Sequence, residues 1–191
     1  MADAAHIQEL DDLARSLGAK HAAPLATALV VVDERVCLKC RVPLCPNYGF
    51  NLGCPPFVPS PEETRATLAL YTTGVLVQQE IPVYPAVEYS RSHRPQVRES
   101  QIVFADLMTA LERRAFRLGY RFAAAYGGGE CPLCETCVGQ TSGQACRRPY
   151  EARPSMEAVG IDVVATAANA GLAVSFPVVT RAVWTGHLLL D

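Results

Sequence analysis

Eight cysteines fall into two blocks of four, and no other feature of the chain restricts its fold as much. The first block reads Cys37-x2-Cys40-x4-Cys45-x8-Cys54 and the second Cys131-x2-Cys134-x2-Cys137-x8-Cys146. A Cys-x2-Cys pair sets two sulfurs on one tight turn. Pro43, Pro46, Gly49 and Gly53 keep the first block out of any regular helix or strand. Each block is therefore a loop able to wrap around a metal, and the remaining residues must hold two such loops.

Hydrophobic periodicity between the loops predicts alternating helices and strands. Ile7, Leu10, Leu13 and Leu17 recur at helical spacing over Ala5–Leu17, with Gly18 as the stop. Pro24 breaks the chain, and Leu25–Val32 reads as a buried strand. Ser60-Pro61-Glu62-Glu63 is a capping box with proline at the first helical position, opening a helix to about Tyr71. Gly74–Ile81 reads as a strand and Pro82–Pro95 as a polar, aromatic loop. Val103, Leu107, Leu111 and Ala115 mark the core face of a long helix over Gln96–Leu118. Strands are expected at Tyr120–Tyr126, Leu172–Phe176 and Ala182–Leu190, and a helix from Pro154 to Ala170. This pattern predicts an α/β fold, or alternatively α+β, in which a layered sheet is covered by helices.

The two blocks have similar surroundings. Each follows an apolar strand, passes through a proline-containing segment and enters a helix near Pro61 or Pro154. The chain is thus expected to be one metal-binding domain, 1–191, containing two copies of a strand–cysteine loop–helix–strand unit near 20–82 and 119–177.

Asp3, Glu9, Asp11 and Asp12 interrupt any apolar run at the N-terminus, and Leu25–Val32 is too short to span a bilayer. A cytoplasmic location is expected, where thiols stay reduced and closely spaced cysteines serve as metal ligands more often than as disulfides. The formal net charge of −2, from 17 basic and 19 acidic side chains, gives no reason to expect nucleic acid or a membrane as partner.

Cys131, Cys134 and Cys137 form the opening triplet of the bacterial ferredoxin pattern, and Cys54 directly precedes Pro55. Two four-cysteine sites of this kind suit two iron–sulfur clusters of the 4Fe–4S type. Zinc is the alternative, although structural zinc usually takes two separated Cys-x2-Cys knuckles. The last gap of eight residues departs from the ferredoxin spacing. It leaves open the cluster type and whether every cysteine is a ligand.

The segments Cys45-Pro-Asn-Tyr48-Gly49, Cys54-Pro-Pro-Phe57 and Cys146-Arg-Arg-Pro149 through Arg153-Pro-Ser-Met156-Glu157-Ala-Val-Gly160-Ile-Asp162 resemble a family of cysteine-rich, predicted metal-binding proteins. That family is filed as a domain of unknown function and is seen mostly in anaerobic microbes. The resemblance spans nearly the whole chain. It implies metal binding at Cys37, Cys40, Cys45, Cys54, Cys131, Cys134, Cys137 and Cys146, and supplies no reaction. Where the family commonly carries a tryptophan in the first block, this chain has Leu52 or its neighbours, a change expected to alter packing rather than ligation.

Other residues are candidates of lower rank. Arg147, Arg148 and Arg153, beside the second block, would offset the negative charge of a thiolate-bound cluster or hold a small anionic ligand, as would Arg35, Lys39 and Arg41 beside the first. Gly127-Gly128-Gly129 reads as a flexible loop, with an anion cradle as the alternative. His93 reads as a surface residue, His187 as a strand position, and Glu157 as a salt-bridge partner for a loop arginine. Three functions follow. The leading one is electron transfer or a redox accessory role with a redox partner protein. The others are an enzyme using an open cluster iron and a zinc-stapled interaction scaffold. The strand Ala182–Leu190, if exposed at a sheet edge, would pair across a homodimer.

Overall fold

A computed structural model describes residues 3–81, 94–174 and 182–191. The chain forms helix α1 (Ala4–Ser16), strand β1 (His21–Ala26), a one-turn helix α2 (Leu38–Arg41), helix α3 (Pro61–Leu68) and strand β2 (Thr73–Ile81). There follow helix α4 (Arg94–Arg117), strand β3 (Ala124–Tyr126), helix α5 (Val163–Asn169) and strand β4 (Ala182–Leu190). The strands make one sheet in the order β1-β2-β4-β3, antiparallel at every step. The layered mixture of helix and strand expected from the sequence is present, in its antiparallel form.

Side chains alternate across the sheet and each face takes its own helices. Val75, Val77, Leu188 and Leu190 point to the face covered by α1 and α4. There they pack with Leu10, Ala14, Phe104, Leu107, Met108, Leu111 and Ala115. Leu76 and Leu189 point to the other face, against Leu68 of α3, Ala167 of α5, Tyr126, Met156, Val159 and Ile161. The first cysteine loop adjoins this second face through Cys37, whose thiol is directed at the Glu157 carbonyl, whereas the second loop begins beside α4.

Local chemistry explains the helix ends. Asp3 caps α1, accepting from the Ala5 N–H at 2.8 Å. Ser60 and Glu63 complete their capping box reciprocally, at 3.2 Å and 2.8 Å. α1 and α4 close on glycines in the left-handed region, Gly18 and Gly119, with φ near 96° and 100°.

Several expected boundaries move. The first strand begins at His21 and passes through Pro24, where a break was expected. β1 lies at the sheet edge, so the missing proline N–H breaks no inner ladder. Residues Thr27–Leu29 then turn as a 3-10 helix, and Val30 and Val32 pack on the second core from a loop. The third strand keeps only Ala124–Tyr126 of the expected Tyr120–Tyr126. The helix expected over Pro154–Ala170 is divided. Glu157–Val159 makes a 3-10 turn, Gly160 takes a positive φ of 85°, and Asp162 caps a new helix through the Ala165 N–H. A Cβ at Gly160 would lie 2.8 Å from Pro61, so the break is also fixed by packing. Leu172–Val174 is not strand, and the rest of that expected element lies outside the described residues. Ala182–Leu190 is not an edge: β4 pairs with β2 along its whole length and with β3 over three residues. The edges of the sheet are β1 and β3.

The order helix–strand–cysteine loop–helix–strand occurs twice, and its registers correspond. Ala23, Pro24 and Leu25 of β1 face Leu76, Val75 and Gly74 of β2. Ala124, Ala125 and Tyr126 of β3 face Leu189, Leu188 and His187 of β4 in the same relation. The preceding helices correspond in step. Buried Ala14 and the Leu17-Gly18 stop in α1 match buried Ala115 and Leu118-Gly119 in α4. Ala19 and Tyr120 each donate an N–H back to that alanine's carbonyl, at 2.9 Å and 3.1 Å.

Candidate metal centre

The two cysteine loops follow edge strands that run in opposite directions, yet they come close to one another. A Cβ at Gly53 would lie 3.4 Å from the Cβ of Cys131, so the backbone of the first block approaches a side chain of the second there. Phe50 reinforces the contact. Its carbonyl accepts from the Gln140 N–H at 3.3 Å, and its ring occupies the space a side chain at Gly139 would need.

The first block is a chain of tight turns. The Cys40 N–H donates to the Cys37 carbonyl and the Cys45 N–H to the Cys40 carbonyl, each at 3.1 Å; the Cys54 N–H reaches the Asn51 carbonyl at 3.0 Å. Asn51 is buried, and its side-chain oxygen accepts from the Gly53 N–H at 2.9 Å, an Asx turn that aims the chain at Cys54. Cys37 sits deepest, its thiol directed to the Glu157 carbonyl at 3.9 Å. The second block is held from outside. Arg98 of α4 donates to the Pro132 carbonyl at 3.0 Å, and Arg147 to the Thr136 carbonyl at 3.1 Å.

All eight cysteines are free thiols. Burial pushes the Cys37, Cys40 and Cys131 thiols above their ordinary pKa. Cys54 is pushed up to about 12, first by burial and then by the neighbouring Cys45 and Cys40 thiols. Cys131 is raised further by Cys146, Cys134 and Cys137. The mutual influences trace two groups of thiols that adjoin at Cys54 and Cys131. Among the described residues no three His, Cys, Asp or Glu side chains converge tightly enough to hold a single metal ion. The donor chemistry nevertheless fits a thiophilic metal or cluster: each block offers four sulfurs and no imidazole, and the one carboxylate within either span is Glu135. A cavity of about 360 Å³ opens on the second block, lined by its four cysteines, Leu52, Phe57, Pro149, Arg148 and Arg153.

The arginines expected to face an anion are engaged by the protein. Arg153 is bonded to Glu112 of α4 and donates to the Tyr150 carbonyl at 3.1 Å. Arg148 pairs with Glu151 at 2.5 Å, and Arg35 with Asp33 at 2.5 Å. Glu157 makes no ion pair with an arginine among the described residues; its carbonyl, not its carboxylate, serves the site. The triple glycine is packed, not loose. Side chains at Gly128 and Gly129 would strike the Trp184 ring, and Gly127 bridges to Ser155. His93 lies outside the described residues. The sequence reading missed Asn51, Arg98 and Glu112. Asn51-x-Gly53 carried an Asx-turn signal, whereas the reach of α4 to the second block had none.

The fold and the site define an eight-thiol, cysteine-loop protein built on an antiparallel sheet. The model of the family described as "Predicted metal-binding protein (DUF2284)" matches residues 23–190, and the chain belongs to that family. Neither the curated proteins nor the solved structures compared with it match the chain. Among the described residues no helix is long and apolar enough to cross a membrane.

Proposed function

We propose that the chain binds two iron–sulfur clusters, one in each cysteine block, and passes electrons between them and a redox partner protein. The observation that carries this reading is the contact of Gly53 with Cys131, which joins loops arising from opposite sheet edges. Two isolated structural sites would have no need to touch; two redox centres gain a short path through Cys54 and Cys131. The repeated registers of β1–β2 and β3–β4 support reading the chain as a duplicated half, each half bringing one four-thiol loop. Cys37, Cys40, Cys45 and Cys54 would hold one cluster and Cys131, Cys134, Cys137 and Cys146 the other. Bound there, the clusters would supply one-electron chemistry. The protein's part is to hold the eight thiols in two loops whose turns are fixed by their own backbone hydrogen bonds.

The test is purification without oxygen, followed by absorption and electron paramagnetic resonance spectra and assays of iron, sulfide and zinc. Two 4Fe–4S clusters predict about eight irons and eight sulfides per chain, with magnetic interaction between the two reduced centres. A colourless protein holding about two zincs overturns the proposal in favour of a scaffold.

One observation favours a catalytic variant of this reading: the cavity beside the second block is large enough for a small ligand to reach the site. Serine replacement of Cys131, Cys134, Cys137 and Cys146 in turn tests it. A catalytic site predicts one variant that keeps its cluster but loses ligand binding. An anionic ligand would have to draw Arg148 from Glu151.

A further inference from the structure

The first block presents exposed aliphatic side chains next to exposed cations. Leu38, Val42 and Leu44 are 56%, 67% and 68% exposed; they flank Cys40 and lead directly into Cys45. Exposed aliphatic side chains so close together on a soluble face mark a contact surface more often than chance. Lys39 and Arg41 stand among them, both exposed, and neither makes an ion pair among the described residues. From Arg35 to Pro61 the sequence holds three cations and no Asp or Glu, while the remainder carries 14 basic against 19 acidic side chains. Arg35 is paired with Asp33, which leaves Lys39 and Arg41 as the exposed cations beside the first cysteine site, with no carboxylate in the same loop.

Taken with the electron-transfer reading, on which it rests, this geometry leads us to propose that Leu38, Lys39, Arg41, Val42 and Leu44 form the docking surface for an acidic one-electron carrier protein. The apolar side chains supply the dry centre of a small contact, and the two cations steer a negatively charged face onto it. One electron passes from the carrier's reduced centre to the oxidised site held by Cys37, Cys40, Cys45 and Cys54. The carrier is oxidised, the site is reduced, and no bond or proton is exchanged. The second block would then receive the electron where Gly53 approaches Cys131. Nucleic acid would also seek a cationic face, but three exposed aliphatic side chains around two cations suit a protein contact better than a phosphate backbone.

The test is stopped-flow reduction of the anaerobically purified full chain by an excess of reduced, acidic ferredoxin-class carrier over a range of salt. The second-order rate of wild type should fall at least tenfold from about 20 mM to 500 mM salt. At low salt, Lys39→Glu/Arg41→Glu should lower it at least tenfold and Leu44→Ser severalfold, with iron content and circular dichroism retained. Arg117→Glu/Arg121→Glu, which makes the same charge change at the end of α4 and beyond it, should change the rate less than twofold. Equal losses in both double variants, or a rate independent of salt, overturn the docking surface. So does tight, salt-sensitive binding of a short single-stranded RNA together with an unaltered carrier rate. Dithionite, which needs no docking surface, separates the two levels. If it bleaches the chain's colour while the carrier fails, the docking surface alone falls; if there is no colour to bleach, both readings fall.

Discussion

His187 is fully buried on the second face of the sheet, opposite Leu76 on one side and Tyr126 on the other, and neither ring nitrogen finds a partner among the described residues. Its ring fills the space left by Gly74, where a Cβ would collide with Nε2. Gly74 faces Leu189 in the β2–β4 register, so His187 reaches it diagonally across the strand pair. Burial lowers the His187 pKa from 6.5 to about 4. The unfolded chain takes up a proton below its ordinary pKa while the folded chain does not. This contribution to stability is therefore intact above pH 6.5 and lost as pH falls toward 4. Wild type should lose about 2 kcal/mol more than His187→Leu between about pH 7.5 and pH 5, measured by urea unfolding at both pH values. Glu112 and Arg153 are the other buried charges, 9% and 16% exposed at the side chain. Glu112 also accepts the Ala125 N–H at 2.9 Å, fixing β3. Glu112→Ala should cost about 3–5 kcal/mol by stranding Arg153, and Glu112→Leu with Arg153→Met should recover part of it in the same assay.

Among the elements, α1 and α4 end alike, which makes a paired prediction possible. Gly18→Ala and Gly119→Ala each force a Cβ into the left-handed region at a cost of about 1–2 kcal/mol. The two losses should agree within about 0.5 kcal/mol if the stops are equivalent. Ser60→Ala removes half of the α3 capping box and should cost about 1 kcal/mol; thermal unfolding reads all three. The capping box, the glycine stops and the strand Gly74–Ile81 were legible because their causes lie within a few residues. The strand through Pro24 was not. Proline is tolerated there only because β1 lies at an edge, and edge position is a property of the sheet. The helix split at Gly160 was missed for a similar reason, since the glycine is required by Pro61, distant in sequence.

At the scale of the molecule, the sheet and the α1–α4 layer are built without cysteines, whereas the cysteine loops have little regular structure of their own. Removing metal with a chelator under reducing conditions should therefore act unevenly. Amide hydrogen exchange should accelerate at least tenfold across 37–54 and 131–157 and change little in β2 and β4. Uniform loss of protection would show instead that the metal sites hold the whole fold together.

The sequence by itself determined that this protein has two four-cysteine loops, that helices and strands alternate around them, and that it belongs to the family described as predicted metal-binding proteins, whose model it matches. Those properties are local: cysteine spacing, hydrophobic period and cap chemistry act over a turn or two. Only the tertiary structure decided that the sheet is antiparallel with Ala182–Leu190 inside it, that Arg148 and Arg153 are committed to Glu151 and Glu112, and that Gly53 meets Cys131. Each of these depends on which distant surfaces bury one another, and burial on a shared face is settled by the packing of the whole chain, not by the order of residues in any one segment.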